Sequence, residues 1–406
     1  MNYRKLVPPD SFIGQYMEYM SYVETAESYD FWCALWAIGT GVGRDVYVDR
    51  PNSPVYLNWY IILAAEAGTT RKSTAIGSIR DIVEGTTPIL AGKTSPTSLE
   101  ILLHERTRES GTANAAFAVS ELVTVLGREG HLATMPGLLT DLYDCPDKRY
   151  SPGTIEHGEI IQENIYVTFI SASTPAWLVT AINPSVIEGG FTSRVIFVVD
   201  DNRKRAIAWP QPRRDGSLEE VRQTYHQSVE RAKGNEGILI SKGGLKKFRH
   251  WYNNRATHVD PFQSSFEARE DDHVLRLAAC LTINSGVLEI QATHVTTAIR
   301  CIEAAKSSAN NLFGGGISEK ARITGAITRV REILIKAGSD GIKHSTLQRR
   351  IVRHVDAKEL RLLTNIMHEC GMIQIFKMKR GQVYRATRGI EKLGVTTEVL
   401  SKLNLG

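Results

Sequence analysis

The sequence predicts an α/β protein: a mostly parallel sheet, a long helical stretch after it, and a small basic module at the C-terminal end. Three observations predict this. Short apolar runs, Ala116–Val119, Ile165–Ile170 and Val195–Val199 among them, alternate with stretches of helical periodicity, as when parallel strands are joined by crossover helices. Residues 217–308 read almost wholly helical. Charge is divided unevenly, with 17 Lys/Arg against 7 Asp/Glu from Ala321 onward and 32 against 37 in residues 1–320.

The elements follow in chain order. Residues 20–42 carry apolar positions at helical spacing, with Trp32 and Trp36 four apart on one face, a core pattern rather than a stacking site. Val46–Val48 and Tyr56–Ala64 read as strands. Ser95-Pro96-Thr97-Ser98 opens a helix with a capping hydroxyl ahead of Leu99. Trp209-Pro210-Gln211-Pro212 punctuates the end of the sheet-bearing part, and periodic helical stretches follow around Leu245–Tyr252, Val274–Ile283 and Val295–Ala305. A Gly-rich joint, Gly314-Gly315-Gly316, precedes the basic module. The expected domains are therefore an N-terminal helical segment (1–48), a sheet-bearing core (49–212), a helical lid (213–312) and a basic C-terminal domain (317–406).

Composition narrows the class. Hydrophobic residues at 42% and charged residues at 23% describe an ordinary globular chain. No run approaches the roughly 20 apolar residues of a membrane span, and MNYRKLVPPD lacks the apolar stretch of a signal peptide, so the expected location is cytoplasmic and away from membranes. Five scattered cysteines with no C-x-x-C pair argue against disulfides and structural zinc.

The C-terminal module reads as three helices and a basic hairpin, a winged helix. A capping box, Asp356-Ala357-Lys358-Glu359, opens its third helix. Ile373–Phe376 and Gln382–Tyr384 flank Lys377-Met378-Lys379-Arg380-Gly381. The third helix of such a module enters a major groove while the wing touches backbone. Arg349, Arg350, Arg353, Lys358, Arg361, Lys377, Lys379 and Arg380 favour DNA over the other reading, a module used only for protein contact.

The chemistry centres on AEAGTTRKST, residues 65–74, directly after the apolar Tyr60–Ala64. The phosphate-loop pattern G-x-x-x-x-G-K-[ST], ended on Lys72 and Ser73, puts its two glycines on Glu66 and Arg71. The physical requirement is narrower than the pattern. It is a turn of inward backbone N–H groups before a helix N-terminus, one ammonium for β/γ-phosphates and one hydroxyl for Mg²⁺. Gly68, followed by Thr69, Thr70 and Arg71, supplies the turn. Lys72 supplies the charge, and Ser73 or Thr74 the hydroxyl. The competing reading is a plain strand–turn–helix with a surface Lys.

Three further pieces decide between them, because hydrolysis of ATP needs a carboxylate for water, a polar sensor and an arginine for transition-state charge. Ala116–Val119 ends in Ser120-Glu121, where Asp-Glu is customary. Phe169-Ile170-Ser171-Ala172-Ser173-Thr174-Pro175 is a strand ending in hydroxyls. Gly189-Gly190-Phe191-Thr192-Ser193-Arg194 leads into Val195–Val199.

In this order the pieces resemble the MCM-like branch of AAA+ ATPases. They resemble more closely the phage and plasmid helicase-like proteins found with primases, which carry "GRRV" with a strand and then a "PSG…RKST" loop. Here the matching stretches are Val42-Gly43-Arg44-Asp45-Val46 and Ala67–Thr74, and the resemblance covers about residues 25–305. It implies a P-loop NTPase core, with Lys72 on the β/γ-phosphates of ATP, Ser73 and Ser120 at Mg²⁺, and Glu121 polarising water. Thr174, with Ser173 the alternative, resembles the first sensor. Arg194 resembles an arginine finger serving the neighbouring subunit, and Arg269 lies in what looks like the sensor-2 segment. Lys148-Arg149-Tyr150 through Ile161 resembles a pore-lining hairpin that touches single-stranded DNA. Its other reading is a solvated loop whose cations Asp144 and Asp147 partly neutralise.

The expected function is an ATP-dependent, ring-forming DNA helicase or translocase in replication of a phage or mobile element. The implied partners are single- and double-stranded DNA, further copies of the chain in a hexamer, and a primase or polymerase. The alternative is an ATP-gated oligomeric DNA-binding regulator or loader without unwinding. A small-molecule kinase is disfavoured by the basic module and by Arg194.

Overall fold

The computed structural model describes all residues except 52, 127–133, 152–158, 183–185, 187–188, 201, 203–205, 210–211, 236, 257–260, 314–325, 328, 352–354, 379–380 and 388–406. The chain forms two compact units, Met1–Leu312 and Phe313–Gly406.

The first unit is built on five parallel strands: β1 (Tyr60–Ala64), β2 (Ile89–Leu90), β3 (Asn114–Val119), β4 (Tyr166–Ser173) and β5 (Val195–Val199). Their spatial order is β2-β3-β4-β1-β5. Every residue of β1 is buried, because helices cover both faces, which is why these strands read as unbroken apolar runs. Ala64 lies level with Ser173 and Val199, and Val119 with Ser171. From β1 the chain leaves for β2 at the far edge, whereas from the adjacent β4 it leaves for β5 on the other side. That divergence opens a crevice beyond the carboxyl ends of β1 and β4.

Helices α1 (Phe12–Tyr19) and α2 (Glu27–Val42) precede the sheet, α3 (Lys72–Val83) follows β1, α4 (Pro96–Ser110) follows β2 and α5 (Met135–Tyr143) lies between β3 and β4. Every residue of α2 after Glu27 is buried. Trp32 and Trp36 are both core, as their spacing predicts, and Trp32 stands edge-on to Trp59 at 5.7 Å. Truncating either indole to Ala would cost on the order of 3–5 kcal/mol. Ser95 caps α4, accepting from the Ser98 N–H at 3.1 Å.

Two expectations are corrected. Tyr56–Ala64 is not one strand: Val55–Tyr56 pairs antiparallel with Tyr47–Val48, and the core strand begins only at Tyr60. Between them the buried Asn58 turns the chain, its amide donating to the Tyr143 carbonyl at 2.7 Å. Residues 217–308 are not wholly helical either. Gly237–Ile240 and Glu289–Ile290 join Tyr47–Val48 and Val55–Tyr56 in a second, four-stranded sheet. Strands this short are held by distant partners rather than by local pattern. The helices around them are α6 (Ser217–Lys233), α7 (Lys242–Asn254), α8 (Glu270–Asn284) and α9 (Ala292–Phe313).

In the second unit helical residues 329–337 are followed by a strand, Ile342–Lys343, then α10 (His344–Ile351) and α11 (Ala357–Glu369). An antiparallel pair, Ile373–Met378 with Gly381–Ala386, completes a three-stranded sheet to which Ile342–Lys343 also belongs. The capping box on α11 is formed in full, with Asp356 and Glu359 each accepting from the other's backbone N–H. Leu347, Leu360, Leu363, Met367 and Tyr384 are in its core. Ile342–Lys343 is a strand that the sequence reading does not include.

Candidate functional site

The loop between β1 and α3 holds two left-handed residues, Gly68 at φ 76° and Arg71 at φ 50°. Arg71 occupies a position where the phosphate-loop pattern has glycine, and it keeps the glycine-like conformation despite its Cβ, at a cost of about 1 kcal/mol. Its guanidinium reaches out to Glu24 at 3.1 Å. Arg71 is the N-cap of α3 but makes no side-chain cap. The first N–H groups of the twelve-residue α3 therefore meet the crevice with the positive end of the helix dipole.

A cleft of about 490 Å³ lies at this switch point. Gly68, Arg71, Lys72, Ser73 and Thr74 line it from the loop and α3, Ser120 and Glu121 from the end of β3, and Ser173 and Thr174 from the end of β4. Lys72 Nζ donates to the carbonyls of Ala65 (2.7 Å) and Glu66 (3.1 Å), which holds the ammonium at the mouth of the loop. Thr69 and Thr70 turn their side chains elsewhere. Thr69 Oγ1 donates to the Glu66 carbonyl, and Thr70 is fully buried with its hydroxyl toward Tyr29. Glu66 does not line the cleft.

The strand ends are tied together, so the polar groups are held by rigid elements. Ser171 Oγ donates to the Val119 carbonyl at 2.8 Å, and the Leu122 N–H to the Ala172 carbonyl at 2.8 Å. Thr174 caps the short helix Pro175–Ala181 by accepting from the Trp177 N–H at 3.4 Å. Trp177, Leu122 and Val123 form an apolar wall that the sequence reading omits. Trp177 stands one helical step past Thr174, a position where an aromatic is more often core.

Arg194 and Arg269 are not in this cleft. Arg194 directly precedes β5, whose first residue is level with Tyr60, the start of β1. It therefore lies at the opposite edge of the sheet, a strand length of about 16 Å from the loop. There Arg194 donates to Asp144 at 2.9 Å and to the Gly190 carbonyl at 2.9 Å. Gly190 has φ 76°, and a Cβ on it would come within 2.9 Å of the guanidinium. Arg269 takes both oxygens of the same Asp144, at 2.6 and 3.0 Å. The Tyr143 ring lies beside the guanidiniums of Arg194, Arg269 and Arg276 at 5.8, 5.7 and 4.9 Å.

Behind this cluster His273 holds the Ser193 carbonyl at 2.9 Å, between the rings of Trp59 and Phe266. Burial, and then the Arg276 charge, push its pKa down to about 3, so the ring is neutral and Nε2–H is the donor. Asp144, Tyr143, His273 and Arg276 are organisers that sequence reading missed. Their partners lie tens of residues away, and no local motif marks them.

The hairpin Lys148–Ser151 with Ile160–Glu163 is formed, and residues 152–158 between them lie outside the described residues. Its cations are not neutralised by Asp144 and Asp147, a correction to the sequence reading. Lys148 pairs with Glu163 across the strands at 2.7 Å, which pushes its pKa up to about 12. Arg149 pairs with Glu100 of α4 at 2.7 Å. Asp147 is held by Arg44, which also donates to the Cys145 and Ile165 carbonyls. Tyr150 remains 59% exposed.

In the second unit Arg349, Arg350, Lys358, Arg361 and Lys377 are all exposed on α10, α11 and the hairpin. Arg353, Lys379 and Arg380 lie outside the described residues. Among the described residues there is no disulfide and no cluster of potential metal-ligating His, Cys, Asp or Glu, and no helix is long and apolar enough to cross a membrane.

No protein-family model and no curated protein matches this sequence. Among solved structures the chain is similar to a full-length MCM homolog from Methanopyrus kandleri, with TM-score 0.46 and 11% identity over 73% of this chain. It spans 59% of that protein's length, and a likeness at this level carries no argument about activity.

Proposed function

We propose that the chain is a Mg²⁺-dependent ATPase that works as a ring-forming DNA helicase or translocase. The observation that carries this reading is the cleft at the switch point, where one ammonium, several hydroxyls and one carboxylate from three strand ends converge on a helix N-terminus. That donor set fits a nucleotide triphosphate with its metal. When bound, Mg²⁺-ATP supplies the phosphoryl group to be transferred.

Lys72 would hold the β/γ-phosphates, and Ser73 and Ser120 would face the metal. Glu121, at the end of β3, would orient water, and Thr174 or Ser173, at the end of β4, would meet the γ-phosphate. Residues 213–312, helical apart from two short strands, would serve as the lid. Arg194 and Arg269 sit too far from this cleft to serve it, so their part in hydrolysis falls to a neighbouring copy, which is what makes the reading oligomeric. The exposed cations of the second unit, read as a winged helix, would hold duplex DNA, and Tyr150 on its hairpin would meet a single strand. The setting would be replication of a phage or mobile element, alongside a primase or polymerase.

One residue favours a second reading. Ser120 is a neutral hydroxyl where a carboxylate would bind the metal more strongly, as suits an ATP-gated, DNA-bound regulator or loader with slow hydrolysis. Steady-state ATP turnover with and without single-stranded DNA separates the two. Sustained turnover that rises with the strand supports the translocase, and slow turnover indifferent to DNA supports the gated regulator. No turnover and no ATP binding would sink both.

A further inference from the structure

Helix α7 carries a feature that the nucleotide cleft and the C-terminal unit leave unused. From Ser241 to Arg255 the sequence holds Lys242, Lys246, Lys247, Arg249 and Arg255, with His250 and no Asp or Glu. This lies in a stretch, residues 1–320, where acidic residues outnumber basic ones. Lys242, Lys246, Lys247, Arg249 and His250 are all exposed. No carboxylate among the described residues forms a salt bridge with Lys242, Lys246, Lys247 or Arg249.

The fold gains nothing from this arrangement. Lys242 and Lys246 are one helical turn apart, as are Lys246 and Arg249, and like charges at that spacing repel by a few tenths of a kcal/mol each. The only fully buried residue of the helix is Gly244. Phe248 and Trp251 anchor the helix to the core by partial burial.

Next to the cations stand two aromatic rings. Tyr252 is 42% exposed, and the Arg255 guanidinium lies over it at 4.3 Å and over Trp251 at 5.9 Å. Two hollows of about 320 and 350 Å³ run between α7 and α9. Trp251, Asn254 and Glu303 line both, Lys247, His250 and Arg300 the first, and Arg255 and Lys306 the second. The acids in the groove are Glu303 and Glu270, and Lys306 pairs with Glu270 at 3.4 Å.

Adjacent free cations and accessible ring faces are what a single-stranded nucleic acid needs: phosphates to neutralise and unstacked bases to lie on the rings. A duplex offers the phosphates but hides the base faces. We propose that α7, with the groove beside it, is a contact site for single-stranded nucleic acid. Lys242, Lys246, Lys247 and Arg249 meet phosphates, and Tyr252 stacks a base beside the partly buried Trp251. The site stands independently of ATP hydrolysis and of the basic C-terminal unit.

The test uses the full chain without nucleotide, with fluorescence anisotropy of a labelled oligothymidylate and of a duplex of equal length over a salt series. Lys246→Ala/Lys247→Ala/Arg249→Ala weakens oligothymidylate binding and flattens its salt dependence by about 2 in slope, from about 0.7 per lost contact on single strands. Tyr252→Ala, which leaves the charge unchanged, weakens it by about fivefold or more with the slope intact. Duplex binding falls less than oligothymidylate binding in the triple variant and stays within about twofold of the parent in Tyr252→Ala. Should the triple variant fail to fold by circular dichroism, Tyr252→Ala alone decides. Unchanged oligothymidylate affinity overturns the site, and so does an equal or larger loss on the duplex. A parent that does not bind the strand at all overturns it together with the DNA reading, whereas strand binding without ATP turnover leaves it standing.

Discussion

At the carboxyl edge of the central sheet, Lys72, Ser73, Ser120 and Glu121 surround an open cleft. At the amino edge, Arg194, Arg269, Arg276 and Arg44 are held by Asp144, Tyr143, Asp147 and backbone carbonyls. Both edges are rich in charge and each holds a hollow of about 490 Å³, but in the first a lysine and hydroxyls stand at the start of a helix, whereas the second is lined by guanidiniums and carboxylates. In the second the charges are already held, with one carboxylate gripping two guanidiniums. Preorganised charge of that kind is useful where it must be delivered to another molecule without searching for its geometry. Under the function proposed above, the two edges would be the two halves of one site, completed between copies.

The largest effect should come from the amino edge. Arg194→Ala leaves ATP binding near the parental value and lowers turnover by on the order of 10³-fold. Mixing it with Lys72→Ala restores part of the turnover, because a mixed interface pairs an intact loop with an intact arginine. No rescue at any ratio would count against shared sites.

The next effect is in stability. His273 has a folded pKa of about 3 against its ordinary 6.5. The unfolded chain therefore binds the extra proton first. Its contribution is complete above pH 6.5 and is lost as pH falls from there toward 3, on the order of a few kcal/mol. Buried Glu270 and half-buried Asp271, whose pKa values are raised chiefly by desolvation, pull the other way. Thermal melts of parent and His273→Asn over this range isolate the histidine. An identical slope in both would remove it as the cause.

Asp144→Asn is smaller. The carboxylate is about half exposed, so losing its charge should cost about 1–2 kcal/mol in a urea titration. Turnover should fall while ATP affinity holds, and unchanged turnover would mean that Asp144 does not position the arginines.

The smallest effect tests the carboxyl edge. Arg71→Gly relieves a left-handed Cβ worth about 1 kcal/mol and loses an exposed pair with Glu24 worth about 0–1 kcal/mol. Melting should move by little and ATP binding should persist. A loss above about 2 kcal/mol would show that Glu24 and Arg71 brace the loop more strongly than their exposure suggests.

Much of this was legible in the sequence, and for a physical reason. Strands buried on both faces leave unbroken apolar runs, so Val195–Val199 is visible without a structure. The strand–turn–helix around residues 65–74 was legible as well, and in it Arg71 adopts the left-handed conformation of the glycine that the phosphate-loop pattern has there. The second sheet was not, because Tyr47 pairs with Gly237 through distant contacts that leave no local period. Asp144 misled for the same reason. Sequence neighbourhood suggests Lys148 and Arg149, while its partners are 50 and 125 residues away.

Calorimetric titration of Mg²⁺-ATP into the parent and into Lys72→Ala tests the central claim most directly. The parent should bind with a measurable enthalpy, and Lys72→Ala, equally folded by circular dichroism, should lose that binding. Equal affinity in the two proteins would contradict the claim that the cleft between β1, β3 and β4 is a nucleotide site.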